Sequence, residues 1–412
     1  MKIKLVLLVA FVVVASFVFP SIGATHKLKL IVTPPQNYQP SESVHIVGNF
    51  NDWLLSGANA TQLQLVEGKL IADLAVTDDE LFFTFVKEQD WQHMPASVEG
   101  KSLCTYYKKL DKNTTTLFSE IPAWKTDAIL QEAQSSATEN VRYLKDFYVP
   151  QYDRKADIAI YLPESYKTLK DKKYPVLYML DGQNIFDAAT SYSDEWKVDE
   201  LLSNLEHNEN FTEIIVVAIP NGSDRSIEYN PWNFVNGDGE VVQGKGAITI
   251  DFIKNTLKPH VDKHFRTEPE NSGLAGSSLG GLMALYAAIE HSDVFKFVAS
   301  FSPALDIKDA TGSNVLFKAI KNKKLTTSKI YFDIGKIEYG DYSRIETLFS
   351  MLQVAYSGNV SNLRLVKDDQ GRHCELDWSK RFPDAIKWLL TEESEKKTFN
   401  NQIQQTADAT AG

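Results

Sequence analysis

The segment Gly276-Ser277-Ser278-Leu279-Gly280 places a serine where it can act as a nucleophile. A short apolar run precedes it and a run of good helix formers follows, so the segment would form a tight turn between a strand and a helix. A serine on such a turn exposes its hydroxyl, and small flanking residues let the turn close. We therefore predict that Ser278 attacks an acyl carbon. Its neighbour Ser277 lacks the flanking glycines.

A serine hydroxyl is a poor nucleophile without a base, and histidine is the usual base. When the serine lies on a turn of this kind, the chain order is serine, acid, histidine. Only His291 and His373 follow Ser278. His291 ends the helix that starts at the turn and so faces the wrong end of the sheet. His373 stands in a loop after the last predicted strand, and we predict that it is the base.

The acid should follow the strand predicted at residues 329–334, and three carboxylates are candidates. Asp333 lies within the strand, which favours a structural role. Glu338 falls in the loop at the carboxyl end of the strand, whereas Asp341 could equally cap the next helix. Glu338 is our choice, with Asp341 second.

Acyl transfer also needs backbone N–H groups that stabilise the oxyanion. One should be the N–H of Leu279, at the start of the helix after the nucleophile. The other should follow an earlier strand, in the loop Asp181-Gly182-Gln183, and we predict the N–H of Gln183.

Alternating strands and helices must position these groups. The strands predicted from apolar runs are residues 157–162, 174–180, 213–219, 272–276, 297–301, 329–334 and 362–366. The helices predicted between them are residues 198–206, 248–264, 280–291, 313–320, 344–356 and 381–390. Such alternation predicts a mostly parallel sheet covered by helices on both faces. Together with the nucleophile turn between a strand and a helix, it indicates the α/β-hydrolase class.

The chain divides into five segments. Residues 1–24 have a basic start, an apolar stretch and small residues, which predicts a signal peptide and a secreted or periplasmic protein without a stable membrane anchor. Residues 26–121 alternate short apolar runs with turns, as in a small all-β sandwich. Residues 122–140 would be a linker, residues 141–393 the α/β-hydrolase domain and residues 394–412 a disordered tail.

Composition excludes some functions. The net charge of −11 over 412 residues provides no surface for nucleic acid. No metal site or cofactor is expected, because the pair His260 and His264 is typical of the last turn of a helix.

The two cysteines, Cys104 and Cys374, lie in different predicted domains, and we expect them to be unpaired.

Residues 140–392 resemble the esterase family of α/β-hydrolases that includes feruloyl, acetyl xylan and enterochelin esterases. The motifs that carry the resemblance are Tyr174 to Asn184, Asn221-Gly222 with Arg225 and Glu228-Tyr229, Ala275 to Leu282, Phe301-Ser302-Pro303, and His373 with Trp378. The resemblance implies a triad of Ser278, Glu338 and His373 with oxyanion donors at Gln183 and Leu279. The glycine pair that precedes the histidine in the family is Gln370-Gly371-Arg372 here, and Leu305 replaces an aromatic residue.

The amino-terminal residues resemble a glycogen-binding type of carbohydrate module, which has an Ig-like β-sandwich fold. The resemblance rests on Val47 to Trp53 and on Phe83 to Val86 leading to Trp91. It implies that Trp53 and Trp91 are platforms for sugar rings and that Asn113 is a hydrogen-bonding partner. The usual lysine of the module is Thr84 here.

These observations predict an exported serine esterase that hydrolyses a carbohydrate-linked acetyl or feruloyl ester through an acyl-enzyme. The candidates for pocket lining or structure are Trp196, Tyr229 and Trp378, and Arg225 is expected to be structural. The alternatives are an esterase for enterochelin-type siderophores and a non-catalytic carbohydrate-binding protein on a hydrolase scaffold. The oligomeric state stays open.

Overall fold

A computed structural model describes residues 26–391 apart from 52, 56, 58–59, 91–92, 98–102, 126–134, 193, 209–210, 237–238, 322, 326–327, 340 and 359. The predicted signal peptide, the predicted tail, Trp91 and much of the predicted linker therefore lie outside the described residues. No helix among the described residues combines the length and the apolar character needed to cross a membrane.

The amino-terminal part consists of short strands. They are β1 (His26–Thr33), β2 (Val44–Gly48), β3 (Thr61–Gln62), β4 (Gln64–Val66), β5 (Lys69–Val76), β6 (Glu80–Lys87), β7 (Pro95–Ala96), β8 (Tyr106–Lys109), β9 (Thr116–Glu120) and β10 (Ala123–Trp124). Two four-stranded sheets form, with the orders β4-β5-β1-β9 and β3-β2-β6-β8. Alternate residues of β1 point inward, and one apolar core joins β1 and β5 to β2 and β6. Trp124 is buried in this core, so β10 belongs to the amino-terminal part although it falls within the predicted linker.

The second part is built on an eight-stranded mixed sheet. Its strands are β11 (Val141–Val149), β12 (Arg154–Tyr161), β13 (Tyr174–Leu180), β14 (Ile215–Ile219), β17 (Thr267–Ser277), β18 (Phe295–Phe301), β19 (Lys329–Gly335) and β20 (Leu363–Asp368); β15 (Phe234–Val235) and β16 (Val241–Val242) form a separate hairpin. The order is β11-β12-β14-β13-β17-β18-β19-β20. The pairs from β14 to β20 are parallel, and β12 is antiparallel to both of its neighbours. The carboxyl ends of the parallel strands therefore meet at one edge.

Helices cover both faces of this sheet. They are α1 (Val198–Asn208), α2 (Arg225–Glu228), α3 (Gly246–Phe252), α4 (Lys258–His264), α5 (Leu279–Glu290), α6 (Val315–Ile320), α7 (Lys336–Tyr339), α8 (Ser343–Ala355) and α9 (Glu375–Leu390), with a π-helical turn at Ile253–Leu257. One apolar core holds residues of α3 to α6 and α8, and a second core on the other face holds residues of α1 and α9. Successive residues of β12, such as Ala159 and Ile160, enter opposite cores. The α/β arrangement predicted from the sequence is the one observed.

The expectation that the cysteines are unpaired is wrong. Cys104 and Cys374 form a disulfide across 270 residues of sequence. The fold brings the segment between β7 and β8 of the amino-terminal part against the residue that precedes α9. Sequence separation gave no sign of this proximity, because it depends on how the two parts pack.

Candidate active site

Ser278 occupies a strained turn between β17 and α5. Its backbone has φ 56° and ψ −120°, a conformation that residues other than glycine rarely adopt. A Cβ at Gly276 would lie 2.7 Å from the backbone of Gly280, so the turn requires glycine there. The N–H of Ser278 donates to the carbonyl of Phe301 at 3.0 Å, and its carbonyl accepts from Ala304 at 3.0 Å. The end of β18 therefore holds the turn, and the side chain stays half-buried at the carboxyl edge of the sheet.

Glu338 and His373 form a hydrogen-bonded pair at the same edge. Oε2 of Glu338 lies 3.0 Å from Nδ1 of His373. The carboxylate is 1% exposed and the imidazole 27%, so the pair is buried on the side of the acid and open on the side of the base. A carboxylate only accepts, so the contact places a proton on Nδ1, and in the neutral imidazole Nε2 is then the acceptor. This tautomer suits a general base.

The two other candidate acids have different partners. Asp341 accepts from the backbone N–H of Ser343 at 2.8 Å and from its hydroxyl, which ties it to the first residue of α8. Asp333 is fully buried and accepts from Nε of Arg381 at 2.9 Å. Burial raises the pKa of Asp333, and the guanidinium of Arg381 acts in the opposite direction. Of the three carboxylates, Glu338 is the one that contacts the histidine.

Ser302 joins the acid to the core and was not singled out as a site residue from the sequence. This fully buried side chain directly follows β18 and donates to Oε1 of Glu338. Its oxygen accepts from Nε1 of Trp378 at 2.9 Å and from Nη2 of Arg381 at 3.1 Å. The N–H of Gly335 donates to the same oxygen of Glu338 at 2.8 Å. Donors from two strand ends thus fix the carboxylate of Glu338. The only sequence feature that pointed to Ser302 was the motif Phe301-Ser302-Pro303.

The loop with Gln183 lies beside the nucleophile turn. Gln183 is in a single 3₁₀ turn, Gly182–Asn184, which follows β13. Leu279 is the first residue of α5. The N–H groups at the start of a helix have no partner within it, so both can point at a ligand. A Cβ at Gly280 would lie 3.4 Å from Oδ2 of Asp181, which shows how closely the two segments approach.

An ion pair between Arg225 and Asp181 connects the Gln183 loop to the turn that carries Ser278. Nε and Nη2 of Arg225 donate to the two carboxylate oxygens of Asp181 at 2.6 and 2.7 Å. Nη2 also lies 3.4 Å from the carbonyl of Ser277, next to Ser278. Tyr229 accepts from the N–H of Asp181 at 3.0 Å. Arg225 therefore has the structural position expected for it, since it spans from the Gln183 loop to the end of β17.

The predicted pocket aromatics lie in the core beneath the site. Trp196 is 2% exposed, Tyr229 1% and Trp378 4%. Trp196 packs edge to face on Phe301 at 5.0 Å, and Trp378 packs on the ring of His373 at 4.9 Å. These contacts assign the three residues to support of the site rather than to an open pocket wall. A cavity of about 230 Å³ beside Gln183 is instead lined by Tyr143, Lys145, Asp157, Ala159, Gly182, Phe186, Asp187, Thr190 and Pro220.

The predicted sugar-binding residues differ in exposure, and their role stays a prediction. Trp53 is half-buried and Asn113 is exposed. The N–H of Asn113 donates to Asp111 within a turn at 2.8 Å. Trp91 lies outside the described residues.

One group of carboxylates could hold a cation. Oxygen atoms of Glu195, Asp199 and Glu200 lie within 4.8 Å of one another at the start of α1. Burial, followed by the hydrogen bond and charge of Asp199, raises the pKa of Glu200 to about 7. A shared proton therefore relieves the repulsion between these carboxylates near neutral pH.

Comparisons with known proteins agree with this architecture. The uncharacterized protein YbbA of Bacillus subtilis (strain 168) is 24% identical over 242 residues, which are 56% of this chain and 91% of that protein. The S-formylglutathione hydrolase of Bos taurus is 26% identical over 162 residues, 36% of this chain and 52% of that protein. The enterobactin esterase of Shigella flexneri, solved in the presence of enterobactin, shares the fold with a TM-score of 0.51 at 15% identity, covering 86% of this chain and 89% of that chain.

The family described as "Putative esterase" matches residues 150–389, more than half of the 412 residues. That range contains the turn at Ser278, the pair of Glu338 and His373, and the Gln183 loop. The chain therefore belongs to this esterase family and is a carboxylic-ester hydrolase.

Proposed function

We propose that this protein is an exported serine esterase with Ser278 as nucleophile, His373 as base and Glu338 as the acid that orients the imidazole. The observation that carries the proposal is the contact between Nδ1 of His373 and Oε2 of Glu338 at the edge where Ser278 occupies its strained turn. The hydroxyl of Ser278 attacks the ester carbonyl while His373 takes its proton. The N–H groups of Leu279 and Gln183 stabilise the oxyanion. His373 then protonates the leaving alcohol, and water hydrolyses the acyl-enzyme by the same steps.

A carbohydrate-linked ester, acetyl or feruloyl, is the first candidate substrate. The amino-terminal motifs around Trp53 favour it, and Trp53 keeps part of its surface exposed. A siderophore ester is the second candidate, because the fold shared with the enterobactin esterase extends over both parts of the chain. Feruloylated, acetylated and catecholate esters, compared by kcat/KM, distinguish the two.

Export is supported by the character of residues 1–24 and by the disulfide. Disulfides persist in oxidising compartments and are rare in the cytosol. Sequencing the amino terminus of the protein recovered from the cell envelope or medium tests this point, and a start near Thr25 is expected.

A fluorophosphonate probe tests the catalytic proposal. It should form an adduct on the peptide that contains Ser278, detected by mass spectrometry. Ser278→Ala should abolish the adduct and esterase activity, and the adjacent Ser277→Ala is the control that should keep both. An unlabelled wild-type protein without activity would instead support the non-catalytic binding hypothesis.

A further inference from the structure

One cysteine of the disulfide is the residue next to His373 in the chain. Cys374 directly follows His373 and directly precedes α9. Its partner Cys104 lies between β7 and β8 of the amino-terminal part. Both cysteines are buried, at 7% and 9% exposure. A covalent bond to the amino-terminal part therefore restrains the backbone beside the base.

The segment that carries His373 is otherwise held by hydrogen bonds. The carbonyl of Gly371 accepts from the N–H of Ile337, on the same short helix as Glu338, at 3.0 Å. The guanidinium and the N–H of Arg372 donate to Asp377 in the first turn of α9. These contacts fix the segment before the histidine, and the disulfide fixes the residue after it.

The amino-terminal part also touches the acid's side of the pair. Strand β6 packs against α7, the helix that carries Glu338. The amino-terminal part therefore contacts the helix that carries Glu338 and is bonded to the residue next to His373. The hydrogen bond between Glu338 and His373 spans two segments that the amino-terminal part holds together.

We propose that the Cys104–Cys374 disulfide is a positioning device for His373, through which the amino-terminal β-part sets the geometry of the acid–base pair. The inference rests on the proposed function for its effect on catalysis, but the geometric claim stands on the contacts. The two parts have separate apolar cores, so breaking the bond leaves each core intact. A displacement of about 1 Å in a catalytic group can cost roughly 100-fold in rate. The loss should therefore appear in kcat rather than in substrate binding.

The test uses the full chain with Cys104→Ser, Cys374→Ser and the double variant. Hydrolysis of p-nitrophenyl acetate is measured per active site titrated with the fluorophosphonate, which removes the contribution of unfolded protein. We expect each variant to lower kcat by about 10- to 100-fold with KM within about twofold. The double variant should match the single variants, because all three lack the same bond.

Chemical reduction of the wild-type protein removes the same bond without a substitution. Dithiothreitol reduces the disulfide to two thiols and is itself oxidised to its cyclic disulfide, so the protein gains two hydrogens by mass. The wild-type kcat should fall to that of the variants and return on reoxidation. The variants should show no change.

A spectroscopic measurement separates this inference from the proposed function. With ¹⁵N-labelled histidine, the Nδ1 proton bound to Glu338 should give a downfield resonance in the oxidised wild type, assigned by its loss in His373→Asn. The resonance should weaken or disappear in Cys374→Ser and on reduction. An unchanged resonance with unchanged kcat overturns the positioning role. If the resonance responds but neither Ser278 labelling nor hydrolysis occurs, the proposed function fails and the positioning inference stands.

Discussion

Glu338 and Asp341 stand three positions apart, yet only Glu338 contacts the histidine. Its carboxylate lies 3.0 Å from Nδ1 of His373, whereas Asp341 accepts from Ser343 at the start of α8. The sequence left both carboxylates open as the acid. Their partners in the structure make them a matched pair for experiment.

Glu338→Gln should therefore lower kcat by roughly 10²- to 10⁴-fold, because an amide no longer favours the tautomer that leaves Nε2 unprotonated. Asp341→Asn should leave kcat within about twofold and the free energy of unfolding nearly unchanged, because the amide oxygen can still accept from Ser343. Steady-state kinetics on p-nitrophenyl acetate measure both variants. A larger loss in Asp341→Asn would move the acid to that residue.

Arg225→Lys should loosen the Gln183 loop. The guanidinium makes two charge-assisted bonds to Asp181 and reaches the carbonyl of Ser277, and a lysine cannot reproduce this planar geometry. We expect kcat to fall by about 10-fold or more as the oxyanion donors lose their alignment. Arg154→Lys is the control, since Arg154 makes a single contact of this kind, to Glu228 at 3.0 Å, and it should keep kcat within about twofold. Equal effects of the two variants would contradict the role of Arg225.

Ser302→Ala should destabilise the fold and the acid together. The variant removes the acceptor of Trp378 and Arg381 and the donor to Glu338, all in a buried setting. Buried polar groups left without partners cost about 1–3 kcal/mol, so the free energy of unfolding should fall by that amount and kcat should also decrease. Ser300→Ala, two residues earlier in β18, loses one buried bond to the carbonyl of Gly281 and should cost less, with kcat retained. Urea unfolding and kinetics on both variants check the ranking.

The sequence predicted what local patterns encode. The apolar run at residues 174–180 predicted a strand, and β13 covers Tyr174–Leu180. This pattern was clear because the strand is buried along its whole length. Glu338 and His373 were selected by their position after successive strands, and the parallel sheet brings such positions to one edge.

The features that the sequence did not predict have weak local patterns or depend on packing between distant segments. The edge strand β11 was missed because it is largely exposed and a bulge between Leu144 and Phe147 interrupts its alternation of apolar and polar residues. Helix α9 begins at Glu375 rather than at the predicted residue 381. The start was misplaced because the first turn of the helix is polar and the helix includes Pro383. The contacts of Ser302 and the pairing of Cys104 with Cys374 join segments that are dozens to hundreds of residues apart. No local pattern records them.

The stability of the protein should respond to the ionisation of Glu206 in α1. Its carboxylate accepts from the hydroxyl of Tyr161 and from the N–H of Glu164, each at 3.1 Å. Burial raises its pKa from 4.5 to about 7, and the charge of Glu213 adds to the shift. The folded state therefore binds more protons than the unfolded state between these pH values. The stability contributed by this group is present at pH 4.5 and is lost as the pH rises through 7.

Glu206→Gln cannot ionise and preserves the contacts, since its oxygen can accept from Glu164 and its amide can donate to Tyr161. At about pH 8 the variant should exceed the wild type by about 1–2 kcal/mol in free energy of unfolding, because solvent screens this partly exposed carboxylate and reduces the full effect of its pKa shift. At about pH 5 the two should be nearly equal. Glu139→Gln is the control, because the exposed Glu139 pairs with Lys167 and its pKa is lowered, so this variant should gain nothing as the pH rises. Urea unfolding at several pH values gives the comparison. Glu200, whose pKa is also raised to about 7, adds the same pH dependence to both proteins, so the test is the difference between them. A difference in free energy of unfolding that is the same at about pH 5 and about pH 8 would contradict the role of Glu206.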